Sequence, residues 1–497
     1  MNRTTLSLFA GTAALAAVTA FAAVATPAAS GAAAPRTAAR LPVERTGLLC
    51  PAPSDSDIAD TTYTSFTPVT KGAAHNGTAR LQAADGDAAG SGKGKGGKRS
   101  AGRPVLTPKA PGTPVTGDTS GAAPALIGTA DGGFAPGWTL QETTDVAAGT
   151  GRGLQGVNCT GADTEFWFPG AATAAGRTDY VHLTNPDDSA AVVDIELFGK
   201  DGAIKSPLGE NLTVKPHTSK AFLLSTLTDE RQADLTVHVG VRSGRVGAAV
   251  QALDDKAGGD WLAPAADPAG SLVLPGIPKD ATDVRLIAFT PGDDDADLKI
   301  RLASPAGLIT PAGNETLHVK SGMTGAVDLG DVTRGEAGSL VLTPTGRPAP
   351  VVAALQVVRG KGGNKETAFI PATTAVGTRA TSADNRAKGT TLALTAPTAT
   401  ATVKVTASAG SEGGTPVTRT YTVKSGTTQD IAAPVPAGLK GTYALTVEPT
   451  SGGPVYAART LAATGTDIPA FTVQTLPNDH GTVAVPQAEE DLTILQK

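Results

Sequence analysis

Hydrophobic and polar residues alternate with period two along three widely separated stretches of this chain. In "DLKIRLAS" Leu298, Ile300 and Leu302 share one parity, while Asp297, Lys299 and Arg301 take the other. Val193, Ile195 and Leu197 stand in the same way against Asp194 and Glu196. Val403, Val405 and Ala407 do so against Thr402, Lys404 and Thr406. Successive side chains of a strand point to opposite faces, so the pattern predicts antiparallel strands with one face in a core and the other in water. A Pro-containing turn precedes each of them ("TNPDD", "FTPGDD", "TAPTAT"), and the three recur at intervals of about 105 residues.

Other anchors recur in the same order. "NLTVKPH", "TLHVKSG" and "TYTVKSG" are alternating strands ending in Val-Lys. "SGRVGAAVQAL", "TGRPAPVVAALQVV" and "SGGPVYAARTL" each read as a glycine turn and then a strand, and "FWFPG", "LVLPG" and "AFIPA" (368–372) open the units. A diverged first unit is expected from "LLCPAP", "TTYTSFTP" and "PGWTLQETT". The fold class predicted is all-β, as tandem immunoglobulin-like β-sandwich repeats of about 105 residues, set out as an extended array. The expected divisions are 47–162, 163–267, 268–366 and 367–485. A closed ring or propeller is the rival architecture, but propeller blades repeat every ~40–50 residues.

Composition sharpens this picture. Sixty Gly, 36 Pro and 4 % aromatic residues in 497 favour short strands and turns over helices. A net charge of −5 is small for the length and gives no general reason to expect nucleic acid. At the N-terminus Arg3 precedes the uncharged run Leu6–Ala25, which ends in Ala23-Val24-Ala25. Residues 1–25 therefore read as a secretory signal, with an uncleaved anchor as the rival reading, 26–46 as a linker and 486–497 as a polar tail. No later segment is apolar enough to cross a membrane, which places the mature protein outside the cytoplasm, secreted or associated with the cell envelope. In that compartment Cys50 and Cys159, the only two cysteines, are expected to pair rather than remain as two free thiols.

The stretch "GSGKGKGGKRS" comes within one residue of a phosphate-binding loop. Such a loop needs a strand before it and a helix after it. Here "AADGDAAGS" precedes, Pro104 and Pro108 follow, and Arg99 replaces the magnesium-binding hydroxyl. Lys93, Lys95, Lys98, Arg99 and Arg103 then read as a solvated insertion, or as a contact for anionic envelope polymer or lipid head groups.

The six histidines are scattered, and neither H-E-x-x-H nor G-x-S-x-G occurs. Asp293, Asp295 and Asp297 have a calcium-loop spacing without the loop Gly or the closing Glu, so a solvated acidic turn is expected. Trp167, in the opener "FWFPG", is either packed in the core or an aromatic platform for a sugar. "LPNDHG" falls short of a wall-sorting signal. No catalytic residue, metal ligand or cofactor-binding residue is assigned.

The early "LLCPAP", the mid-chain "GLQGVNC" followed by "FWFPG", and "YVHLTNPDDSAAVVDIELFGKDG" carry a resemblance to an uncharacterised, domain-of-unknown-function family of exported actinobacterial proteins. That resemblance implies export and envelope association, and it brings no catalytic residue with it. The expected function is a non-catalytic exported cell-envelope protein, a scaffold or protein-binding array, with an envelope protein or glycan as partner. The alternatives are a cell-wall polysaccharide-binding protein, or a hydrolase whose paired carboxylates face each other at a domain junction.

Overall fold

The computed structural model describes residues 38–86, 104–463 and 469–485. The expected signal (1–25) and polar tail (486–497), and the basic residues Lys93, Lys95, Lys98, Arg99 and Arg103, lie outside the described residues. The chain divides into a unit made of its two ends, 1–41 with 483–497, and a main unit, 42–482. Ala39–Pro42 and Thr482–Val485 form a two-stranded sheet of their own. Among the described residues the regular elements are strands and three single-turn 3-10 helices. None of the described helices is long and apolar enough to cross a membrane.

The main unit is built from sheets of three to five strands that face one another in pairs, with one two-stranded ribbon, Gly413–Thr415 with Ala437–Lys440, beside them. The alternating segments form as the pattern predicts. Ala296–Ser304 buries Leu298, Ile300 and Leu302 and turns Asp297, Lys299 and Arg301 away. Burying each such side chain contributes about 1.5–3 kcal/mol. In this pair one sheet runs Leu272–Ile277, Gly338–Pro344, Ala296–Ser304, with the short Gly307–Ile309 and Thr316–Val319 both paired to the last, and the facing sheet runs Thr324–Asp328, Ala281–Phe289, Val352–Lys361, Asn364–Pro371. One apolar core fills the space between them, with Ile300, Leu340 and Leu342 from one side and Leu286, Leu355 and Val357 from the other.

The same strand order recurs in the sheets over 45–158, 165–262 and 380–475. We number the pairs one to four along the chain. In the first pair Cys50 and Cys159 form a disulfide across a sequence separation of 109, buried in the core with Leu81 and Leu140.

Two features depart from the sequence reading. Residues 368–371 of the segment expected to open a unit lie in Asn364–Pro371, which hydrogen-bonds along Val352–Lys361 as the last strand of the third pair. The opening position of the fourth pair is held by Ala380–Asn385, a polar-looking segment that is buried throughout. The pairs also do not extend in a line. The opening strand of the second packs on Val352–Lys361 of the third, and that of the third on Tyr456–Ala462 of the fourth. The fourth's packs on Thr139–Val146 of the first, and the first's on Gly247–Asp254 of the second. The cycle is closed.

The last strand of each pair, Gly153–Asn158, Gly258–Leu262, Asn364–Pro371 and Phe471–Thr475, packs against its counterparts in the same cyclic order. These inner strands are covered on both faces, which is why 368–370 reads as a continuous apolar run rather than an alternating one.

Candidate functional site

Titratable and polar groups converge where the inner strands meet. Asp260, on Gly258–Leu262, has no exposed surface. Its carboxylate accepts from the Gly156 N–H at 2.9 Å and from Thr472 Oγ1 at 3.0 Å. Gln474 Nε2 donates in turn to Thr472 Oγ1 at 2.6 Å. Three inner strands are thereby tied through one carboxyl. Burial pushes that carboxyl well above the usual range, while the hydrogen bonds oppose the rise.

Glu366 supplies the acid of the fourth inner strand, Asn364–Pro371. Its side chain is 1 % exposed, with Oε1 3.5 Å from Arg152 Nε. Burial pushes it up to about 7, the Arg152 charge pulling it down and Asp145 adding to the rise. The neighbouring inner strands make room by using glycine. A Cβ at Gly153 would lie 2.1 Å from Glu366 Oε2, and one at Gly258 would lie 2.6 Å away. Both glycines also hold positive φ, a conformation that side chains resist.

A second cluster joins the first and last pairs. Gln141 Oε1 accepts from the backbone N–H groups of Ala383 and Asp384, both at 2.8 Å, and Gln141 Nε2 donates to Asn158 Oδ1 at 2.6 Å. Arg459 donates through Nη2 to Gln141 Oε1 at 3.2 Å and through Nε to Ser382 Oγ at 3.3 Å. Asp384 accepts from Thr143 at 2.8 Å and from Thr442 at 2.9 Å. Arg459 is fully buried, and burial pushes its guanidinium down to about 10, so it stays a cation at neutral pH. These contacts explain the polar opening strand of the fourth pair: its Ser382 and Asp384 meet polar side chains of Thr139–Val146, not lipid-like core.

The residues doing this work occupy one recurring place. Gln141, Gln251, Gln356 and Arg459 each sit beside an inner strand, opposite Asn158, Trp261, Phe369 and Gln474. Gln251 Nε2 bridges to Pro53 O at 2.8 Å and to Gln155 Oε1 at 3.0 Å, joining second pair to first. The signal was visible as a glutamine in each of three segments read as strands ("TLQ", "AVQ", "ALQ"), yet sequence reasoning took these segments only as strands.

Glu142 was also missed. It faces Tyr63 across the first pair's strands, and neither of its carboxylate oxygens has a hydrogen-bond partner. Burial drives its carboxyl well above the usual range, because an ionised carboxylate without a partner is costly there.

Other sequence candidates are placed as follows. Trp167 is 6 % exposed, stacked on His238 with ring centroids 3.9 Å apart and on Phe289 at 5.4 Å. Its Nε1 donates to Glu165 at 3.0 Å. That packing leaves no open face for a sugar. His217, His238 and His318 lie against carboxylates of Asp188, Glu196 and Asp297 at 2.7, 2.7 and 2.8 Å. Asp295, of the acidic turn, accepts from the Ser321 N–H at 2.8 Å.

No curated protein matches the chain. A family model described as a family of unknown function, DUF5719, matches residues 115–434, a span that takes in the later strands of the first pair, the second and third pairs, and the fourth as far as Thr427–Ala432. With more than half its length matched, the chain belongs to the family of unknown function DUF5719.

Proposed function

We propose that this protein is a non-catalytic scaffold of the cell envelope, exported by its N-terminal signal, which holds surface patches in fixed relative positions for an envelope protein or glycan. The observation that carries this reading is the polar lock of Gln141, Ser382, Asp384 and Arg459, which joins the first and last sheet pairs across some 240 residues of chain. Asp260, Arg459 and Asp384 are spent on bracing strands against one another, where a hydrolytic site would leave such groups open to substrate and water. The leader-like N-terminus and the buried disulfide support an oxidising, extracytoplasmic setting. A cyclic assembly locked by buried polar contacts suits a part that presents surfaces without changing shape.

The test is crosslinking on intact producing cells, with the mature protein tagged at its C-terminus and recovered under denaturing wash. Recovery of one defined envelope protein or glycan, lost in an Arg459→Ala protein still secreted at normal level, supports the scaffold. Recovery of nothing above an untagged control overturns it.

A further inference from the structure

A cleft of about 340 Å³ opens where the first pair meets the second, between the segment 52–56 and the strands Arg177–Thr184 and Gly247–Asp254. That volume falls within the range of small-molecule sites. Most of the residues lining it are polar. Ser54, Ser56, Thr178, Tyr180, His182 and Gln251 present hydroxyls, an amide, a half-buried phenol ring and an imidazole, and Asp55 at the exposed rim is the single charged residue lining it. A charged ligand would find no counter-ion there beyond that carboxylate. A flexible apolar ligand would leave the hydroxyls unpaired.

His182 points most directly to a ligand. It is 7 % exposed, lies edge-on to Trp261 with ring centroids 5.1 Å apart, and neither ring nitrogen has a hydrogen-bond partner. Burial lowers its basicity to about 4, with nearby Gln251 pulling the other way, so the ring is neutral at pH 7 and offers one donor and one acceptor. A buried polar group without a partner destabilises a fold, and a leucine of similar bulk would avoid that. A separate cavity bounded by His182, Asn158, Thr160 and Thr184 measures about 10 Å³, room for no more than one water. His182 lines the larger cleft as well, with both ring nitrogens buried.

We propose that this cleft binds an uncharged, hydroxyl-rich ligand, a short saccharide, through hydrogen bonds to His182 and the hydroxyls of Ser54, Ser56 and Thr178, with the Tyr180 ring as its stacking face. Paired donors and acceptors beside one aromatic ring match the alternating hydroxyls and apolar face of a sugar. This activity goes beyond the scaffold reading and stands without it, since it needs only the junction of two sheet pairs.

The experiment is saturation-transfer NMR on the full mature chain with four probes: N-acetylglucosamine, its β-1,4 dimer, maltose and arabinose, each at up to about 10 mM, where even millimolar affinity registers. Tyr180→Ala and His182→Leu are measured beside wild type, together with thermal midpoints. The expected result is binding of at least one probe, weakened about tenfold or more by each substitution, with the His182→Leu midpoint at or above wild type. Absence of binding by all four probes overturns the proposal, as does binding that survives both substitutions. A lowered midpoint with unchanged binding would make His182 a packing residue and overturn its role. Binding of a neutral tetrapeptide but no saccharide would overturn the ligand class.

Discussion

Replacing Glu366 by Gln should flatten the pH dependence of stability between about pH 4.5 and 7. The folded chain holds the Glu366 proton up to about 7, against an ordinary value of 4.5. Between those limits the native state binds a proton that the unfolded chain has released, so stability falls as pH rises. The stabilisation is complete below pH 4.5 and gone above pH 7. At about 1.4 kcal/mol per pH unit, the gap corresponds to about 3 kcal/mol. The side chain is 1 % exposed, so solvent screening is slight.

Glutamine keeps the shape that Gly153 and Gly258 accommodate and cannot titrate. Arg152 stays anchored, because its Nη2 also donates to Lys256 O and Lys365 O, both at 3.0 Å. Asp260 and Asp179 contribute slopes of the same sign, but they do so in both proteins and largely cancel in the difference. Where Asp260 feels Glu366's charge, the substitution lowers its rise and adds to the flattening. Urea unfolding of both proteins at half-unit steps from pH 4.5 to 8, followed by the fluorescence of the buried tryptophans, reads the effect directly. Parallel profiles, or a difference below about 1 kcal/mol across that window, would refute the claim that Glu366 is carried as a buried acid.

Three further outcomes follow from the same contacts. Cys50→Ala/Cys159→Ala should lose about 4–5 kcal/mol in urea unfolding, the loop-closure entropy of a 109-residue separation, and a loss under about 1 kcal/mol would mean the cross-link does not constrain the unfolded chain. Gly153→Ala forces a Cβ to within 2.1 Å of Glu366 Oε2 at a φ of 110° and should cost at least about 2 kcal/mol. Part of that cost should return in Gly153→Ala/Glu366→Ala, and no recovery would count against the glycine cradle. Arg459→Leu should destabilise by about 2–4 kcal/mol and speed amide exchange at Ala383 and Asp384 more than at Leu340, whereas uniform exchange would show that the lock does not hold the first and fourth pairs together.

Much of the local architecture was legible because its cause is local. Leu298, Ile300 and Leu302 alternate with charged neighbours, and two-fold periodicity needs no knowledge of the rest of the chain to imply a half-buried strand. The disulfide was expected from there being two cysteines and an N-terminus that reads as a secretory signal. The site was far less legible. Trp167 drew attention as an aromatic ring, yet its packing partners His238 and Phe289 come from strands about 70 and 120 residues away. His182 sits in an alternating strand and looks like any strand residue; its lack of partners appears only once segment 52–56 and Gly247–Asp254 are folded against it.

By itself, then, the sequence determined that the chain is all-β, where its half-buried strands run and which two cysteines pair, since composition and periodicity act over a few residues. The tertiary structure alone decided that Asn364–Pro371 closes a sheet pair instead of opening one, that Ala380–Asn385 is buried despite its polar residues, and that the sheet pairs close into a cycle. The physical reason is the same in each case. A strand covered on both faces carries no alternation, and whether a glutamine, arginine or aspartate is surface or lock depends on partners such as Gln141 and Arg459, 318 residues apart, which no local pattern joins.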